Sequence, residues 1–347
     1  MADRAVTLQQ VAEAAGVHAA TASRALNPAT RSKVNDQTAA RILEISKKMG
    51  YRGNPMARGL RTSRSMTVGV LIPDLTNPFY PPLVRGIDDG LDTMGYVPLL
   101  ANSDDSPIRE LTLLQSLRDR HVDGFIIATA RVNDPAIQSI VAEGLPVVLV
   151  SRTVKGLKVP TVTLDDKLAI EMAVDHLVDL GHSSIGHIAG PQDSTTGIMR
   201  KAGFLHACRT RGIKNTAIVE TKRFSEEQGR IASARLLDQY SVTAIVASND
   251  LIALGCLATF AERGLNCPED ISLIGVNDMA YLDRIAPPLT TIHAETYHMG
   301  LNAAQLLLSI IGGTKSEVIE NRVLQPHLAL RKSTDVPPSK ARRGKRK

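Results

Sequence analysis

A chain of 347 residues, 43% apolar and 22% charged, has room for a small domain and a larger bilobed one, and it holds no run near the roughly 20 apolar residues of a membrane span. Its three cysteines, Cys208, Cys256 and Cys267, are odd in number and contain no CxxC pair, which excludes a disulfide framework or a zinc ribbon and leaves reduced thiols. The net charge of +6 is unevenly spread: residues 1–65 carry 11 Lys/Arg against 4 Asp/Glu, residues 331–347 carry 8 against 1, and the middle carries 22 against 30, so that basic ends suited to a polyanion flank an acidic body.

The opening MADRAVTLQQ is charged and polar and lacks an apolar signal core, which predicts retention in the cytoplasm. Residues 7–26 follow as TLQQVAEAAGVHAATASRAL. Thr7 with Gln10 is a capping-box pattern, and Leu8, Val11, Ala12 and Ala15 fall at i, i+3, i+4 and i+7, the stripe of a short helix. Gly16 lets the chain turn and Val17 packs inward. A second helix from His18 to Leu26 sets Ala22, Ala25 and Leu26 on one face and Ala19, Ala20, Ser23 and Arg24 on others. That is helix-turn-helix spacing, which offers the second helix to a DNA major groove. An ordinary αα-hairpin shares it, so the flanking sequence has to decide. Asn35 caps a third helix through Ile42, Ile45 and Met49, and Gly50 ends it. In YRGNPMARGLRTSRS, Asn54 is an N-cap, Pro55 is preset for the first helical position, and Arg58 and Arg61 line a helix too short to nucleate without a partner.

VTLQQVAEAAGV, TASRALN, the third helix and NPMARGL together resemble the headpiece and hinge of the LacI family of bacterial transcription regulators, and the likeness runs nearly to the C-terminus. The resemblance implies an N-terminal all-α helix-turn-helix headpiece (1–53), a hinge helix and linker (54–65), and an α/β two-lobed periplasmic-binding-protein-like core with parallel doubly wound sheets (66–330). It also implies a homodimer on a near-palindromic double-stranded DNA operator, with hinge helices that fold on DNA and push a leucine into the minor groove. Leu60 holds that leucine's position. Residue by residue, Ala19, Ala20 and Arg24 fall at base-reading positions, and Thr7, Ser23 and Asn27 at positions that touch the phosphate backbone. His18, Thr21, Asn54, Ala57 and Arg58 complete the candidate DNA contacts. Arg24 is the one strong hydrogen-bonding reader, suited to a guanine edge. His18 stands where the family usually has a serine capping the recognition helix, and Ala22 replaces a customary valine. Specificity is therefore expected to lean on Arg24, Thr21 and the hinge-induced bend.

From Met66 the pattern alternates. MTVGVLIP reads as a strand buried on both faces, and residues 82–94 as a helix with Leu83, Ile87 and Leu91 in register. Further strands are predicted at 97–101, 124–128, 146–150 and 161–164, then at 185–189, 217–221, 244–247 and 271–276, with helices between. Such alternation predicts two parallel sheets with right-handed crossovers, hence two lobes and a cleft. The resemblance implies three passages between lobes, near Leu164, Thr291 and Asn321. The N-lobe is then about 66–163 plus 292–321, and the C-lobe about 164–291 plus 322–330.

Ligands in open α/β sheets sit beyond the carboxyl ends of the strands. That rule selects Asp74 through Tyr80, Asn102, Thr129, Ser151, Arg152, the 190–200 loop, Asn249, Asp250, Asn277 and Asp278. The resemblance points to the same places. Phe79, Tyr80 and Phe224 match positions where relatives lay aromatic rings on the effector, and Ser194, Thr196, Arg200, Asn249 and Asn277 match polar contacts. Phe224 also reads as packing under a helix start. Relatives often carry an aspartate where Ser151 and Asn277 stand. Arg200 is thus expected to face fewer anions, and the pocket to admit a sugar phosphate or sugar acid as well as a sugar or nucleoside.

His176, His182 and His187 are spaced by 6 and 5, which fits neither a helical i, i+4 pair nor a compact loop site, so no metal is expected. No GxSxG, P-loop or GxGxxG occurs, and the sequence shows no sign of catalysis or of a cofactor. RKSTDVPPSKARRGKRK, residues 331–347, is proline-broken, basic and free of leucine. It is predicted to be disordered, and it lacks the leucine heptad with which some relatives make tetramers, so a dimer is expected. These readings converge on an effector-controlled, sequence-specific DNA-binding regulator, a repressor of a catabolic or sugar-related operon, cytoplasmic and associated with the nucleoid when on DNA. The lobes alone would equally allow a solute-binding protein without a DNA role.

Overall fold

The computed structural model describes residues 6–51, 64–313 and 319–338, and it divides into two compact units, 1–65 and 66–347. The hinge candidates Asn54, Ala57, Arg58 and Leu60 lie outside the described residues.

In the first unit, α1 (Leu8–Ala14) opens on the capping box: Thr7 Oγ1 accepts from the Gln10 N–H at 3.4 Å, and Gln10 Oε1 accepts from the Thr7 N–H at 2.9 Å. Gly16, at φ +61°, turns the chain into α2 (Ala19–Leu26). The N-cap there is His18, whose Nδ1 accepts from the Ala20 N–H at 3.2 Å. Losing the customary serine therefore keeps the cap, because an imidazole with its proton on Nε2 leaves Nδ1 as an acceptor. At the other end of α2, the carbonyls of Arg24 and Ala25 accept from the Thr30 hydroxyl and the Arg31 Nε, both at 3.1 Å. Those two residues lie in a 3-10 turn, Pro28–Lys33. Asn35 caps α3 (Asp36–Lys48) with its Oδ1 3.0 Å from the Gln37 N–H. The buried centre is mostly alanine, with Ala12, Ala15, Ala22, Ala25 and Ala39 around Val11 and Ile42. Small side chains let three short helices approach closely.

The second unit contains two six-stranded sheets. The first is built by β1 (Thr67–Ile72), α4 (Tyr80–Asp92), β2 (Val97–Asn102), α5 (Pro107–Asp119), β3 (Phe125–Ile127), α6 (Pro135–Ala142), β4 (Val147–Val150) and β5 (Thr161–Leu164). Its order is β2-β1-β3-β4-β5, with β11 (Asn321–Leu324) beside β5, and every pairing is parallel. The second is built by α7 (Asp166–Asp179), β6 (Ser184–Ala189), α8 (Thr195–Thr210), β7 (Asn215–Glu220), α9 (Glu226–Gln239), β8 (Ala244–Ala247), α10 (Asp250–Glu262), β9 (Ser272–Asn277) and β10 (Thr290–His293). It repeats the order as β7-β6-β8-β9-β10, and β12 (His327–Ala329) closes it antiparallel to β10. Central strands such as β3, β4, β6, β8 and β9 are buried throughout, as continuous apolar runs require.

Matched glycines clamp the helix layers of both lobes. A Cβ on Gly86 of α4 would lie 2.0 Å from the Tyr297 carbonyl oxygen of α11 (Thr296–Ile311), and one on Gly255 of α10 would lie 2.1 Å from the Glu226 carbonyl of α9. Backbone meets backbone at each crossing, so each pair of helices packs in close contact.

Two details depart from expectation. The chain leaves the first sheet after Leu164, returns between His293 and α11, and crosses again at residues 325–326, between β11 and β12. β10 thus belongs wholly to the C-lobe and β11 to the N-lobe, a few residues past the expected boundaries at 292 and 321, because each passage waits until its strand has finished pairing. The stretch 331–338 is also no disordered tail. Ser333 is fully buried: its Oγ accepts from the Thr290 N–H at 2.8 Å and donates to the Leu273 carbonyl at 2.6 Å, while its own carbonyl accepts from the Leu273 N–H at 2.8 Å. The Asp335 N–H donates to Ser272 Oγ at 3.0 Å, and the Asp335 carbonyl faces His182 Nε2 at 2.8 Å. Composition misses such a strap because hydrogen bonds to sheet ends, rather than apolar burial, hold it.

Candidate DNA-reading helix and effector cleft

On α2 the exposed candidates are His18, Ala20 and Arg24, with Thr7 exposed at the start of α1; Ala19, Thr21, Ser23 and Asn27 are half-buried. Ala20 and Arg24 stand four apart and share a face. That face presents one methyl and one guanidinium, which match a thymine methyl and a guanine edge.

The cleft forms where strand ends of both sheets meet. From the N-lobe come Asn77, Phe79 and Tyr80 after β1 and Ser151 and Arg152 after β4; from the C-lobe come Thr196 and Arg200 on α8, Phe224 after β7, Asn249 after β8 and Asn277 at the end of β9. Together they enclose about 320 Å³, the open mouth included. Nine of these were expected individually; the tenth, expected only within the stretch Asp74 through Tyr80, is Asn77. Its Oδ1 accepts from the Phe79 N–H at 3.0 Å, an Asx turn whose only sequence signal is an Asn two residues before the aromatic.

The electrostatics differ from the expectation that Arg200 faces few anions. Its Nε donates to Asp166 Oδ1 at 2.7 Å, and both side chains are buried. Its Nη1 donates to the Ser248 carbonyl, and its Nη2 reaches Asn277 Oδ1 at 3.4 Å. Asp166 opens α7, where it reads in sequence as a helix-start acid, so its pairing is invisible until the lobe folds. Arg152 is compensated too: its Nη1 donates to Asp105 Oδ1 at 3.2 Å, and its guanidinium lies 5.8 Å from the centre of the Phe224 ring. Phe224 therefore stands in the cleft rather than only packing under a helix. Burial pushes the Tyr80 hydroxyl up to about 12, so it is a neutral donor.

Four expected residues shape the site from outside its lining. Asp74 Oδ1 accepts from the Thr76 N–H at 2.8 Å, and Asn102 Oδ1 from the Leu75 N–H at 2.8 Å; both fix the loop after β1. Ser194 caps α8, with its Oγ 3.1 Å from the Gly197 N–H. Asp250 is fully buried behind the cleft, accepting from the Thr291 hydroxyl at 2.6 Å and the Met279 N–H at 2.9 Å. Three hydrogen bonds tie the lobes together beside the cleft. The Thr196 hydroxyl donates to the Ser151 carbonyl (3.1 Å), the Thr153 N–H to Thr195 Oγ1 (2.9 Å), and the Val132 N–H to the Asp193 carbonyl (2.8 Å).

The three histidines have separate partners. His176 Nε2 meets Thr334 Oγ1 at 2.9 Å, His182 Nδ1 meets Thr243 Oγ1 at 2.8 Å, and His187 Nδ1 donates to the Val246 carbonyl at 2.8 Å while its ring stacks on Phe204. Among the described residues no cluster of His, Cys, Asp and Glu is arranged to hold a metal, and no helix is long and apolar enough to cross a membrane.

A helix-turn-helix head joined to a two-lobed binding core defines a DNA-binding transcriptional regulator with a small-molecule cleft. Residues 7–54 match the family described as bacterial regulatory proteins, lacI family, and residues 174–334 match the periplasmic binding protein-like domain. The chain is 35% identical over 321 residues to the ribose operon repressor of Bacillus subtilis (strain 168), which covers 92% of this chain and 95% of the relative. It resembles the lac repressor dimer bound to operator and the anti-inducer ONPF with a TM-score of 0.84 and 26% identity, over 96% of this chain and 100% of that one. It also resembles a LacI family transcriptional regulator from Enterococcus faecium with bound ribose, with a TM-score of 0.69 and 33% identity over 78% of this chain and 99% of that one. The chain belongs to the LacI family of bacterial regulatory proteins.

Proposed function

We propose that this regulator is a cytoplasmic repressor that grips a near-palindromic operator as a homodimer and responds to a neutral sugar of monosaccharide size. One observation carries the choice of effector: both guanidiniums of the cleft are already paired, Arg200 with Asp166 at 2.7 Å and Arg152 with Asp105 at 3.2 Å. The remaining lining suits hydroxyls. Asn77 and Asn249 each spend Oδ1 on a backbone N–H, which leaves the amide nitrogens to donate to a ligand. Phe79 and Phe224 offer apolar surface to a sugar ring. The ribose operon repressor and the ribose-bound regulator among its relatives support the same class. A second reading, an anionic sugar, is favoured by two arginines in one cleft and requires a carboxylate to be displaced.

Calorimetry with D-ribose, D-glucose, adenosine and ribose 5-phosphate tests the choice. Binding of a neutral sugar alone is the expected result, and tight binding of ribose 5-phosphate alone overturns it. Operators selected from random duplexes by the full chain then test the DNA role. Deleting residues 1–65 is expected to abolish salt-sensitive retention, and a bound effector to shift operator affinity by roughly 5- to 150-fold. Retention unchanged by the deletion refutes the assignment.

A further inference from the structure

The turn that carries Asn277 into the cleft is strained and held from outside. Asn277 has φ +119° and Asp278 φ +59°, both in the left-handed region without being glycine. Such residues persist only where their surroundings over-determine them. Behind the turn, Asp250 Oδ2 accepts from the Met279 N–H at 2.9 Å. Beside it, Asp278 is gripped by two groups: Arg331 Nη2 donates to Oδ1 at 2.6 Å, and His293 Nδ1 lies 3.0 Å from Oδ2. Arg331 also donates through Nη1 to the Leu289 carbonyl at 2.8 Å, so its planar fork is fixed at two points and aims the carboxylate. The strap in turn anchors Arg331 through the buried Ser333.

We propose that Arg331 is a positioning residue of the effector cleft: its ion pair with Asp278 holds the Asn277 turn in place beside Arg200 and so sets effector affinity without touching the effector. The inference rests on the cleft being the effector site. It assigns a task to the first residue of a stretch that composition reads as a solvated tail.

Three full-length variants test it. R331M keeps the apolar stem and removes the fork, R331K keeps the charge and loses the fork, and T334V removes the strap's contacts to His176 Nε2 and Thr290 Oγ1 while leaving the Arg331 side chain intact. Two readouts are taken: D-ribose affinity by calorimetry, and hydrogen exchange of the 275–282 peptide without sugar. R331M is expected to bind ribose about tenfold more weakly and to exchange the Met279 amide at least about tenfold faster, since one of three clamps on the turn is gone. R331K falls between it and the parent. T334V lowers the melting temperature and leaves both readouts unchanged. Unchanged exchange in R331M, or equal acceleration in T334V, overturns the proposal. Should the parent bind neither D-ribose nor D-glucose, the effector assignment fails, and the exchange measurement still decides the role of Arg331.

Discussion

The substitution Asp250→Asn is expected to stabilise the protein by an amount that grows with pH. The carboxyl is fully buried, and its bonds to the Thr291 hydroxyl and the Met279 N–H do not offset the loss of water. Burial pushes it up from 3.8 to about 7. The folded chain therefore keeps a proton that the unfolded chain releases near pH 4. Stability from this group is full below about pH 4 and declines by about 1.4 kcal/mol per unit until about pH 7, at most about 4 kcal/mol in all. His187 works in the opposite direction. Burial pushes its imidazole down to about 4, so the unfolded chain takes up a proton below about pH 6.5 that the fold refuses, and stability declines as pH falls from about 6.5 to 4. The two slopes largely cancel in the parent, which makes the difference between parent and variant the informative quantity. The introduced amide would accept from the Met279 N–H through its oxygen and donate to the Thr291 hydroxyl through its nitrogen, leaving neither bond unmade. Urea unfolding at pH 5, 6, 7 and 8 is expected to show the variant's advantage rising by up to about 1.4 kcal/mol per unit to pH 7 and then levelling. A difference that stays constant from pH 5 to 8 refutes the claim that the fold holds Asp250 protonated.

Other perturbations probe other levels. Gly86→Ala places a Cβ 2.0 Å from the Tyr297 carbonyl and is expected to cost about 1–3 kcal/mol in urea unfolding as α4 and α11 part; a neutral result means the helices do not meet at that glycine. His18→Ala removes the cap of α2, and about 0.5–2 kcal/mol of its protection against hydrogen exchange at residues 19–26 should go with it. His18→Ser should restore most of that protection, and equal exchange in all three proteins counts against the cap. Thr195→Val with Thr196→Val deletes two of the hydrogen bonds between the lobes, and at about 1 kcal/mol each sugar affinity should drop by roughly tenfold or more. Unchanged affinity would show that these bonds do not hold the lobes around the ligand.

The headpiece was legible in the sequence because its determinants are local. Thr7 and Gln10, Gly16, and Asn35 act over two to four residues, so spacing alone identifies caps and turn. The alternating strands and helices were legible for a related reason: a strand buried on both faces writes its environment as a continuous apolar run, and the strand-end rule then brings Phe79, Arg152, Arg200, Asn249 and Asn277 to one cleft. Charge state and clamping were not. Arg200 finds Asp166 across 34 positions, Asp278 finds Arg331 across 53, and Asp250 is isolated from water by elements folded around it. Desolvation and ion pairing depend on distance in space. The sequence by itself therefore determined which elements form and which side chains line the cleft, whereas only tertiary structure decided which of those charges remain available to a ligand.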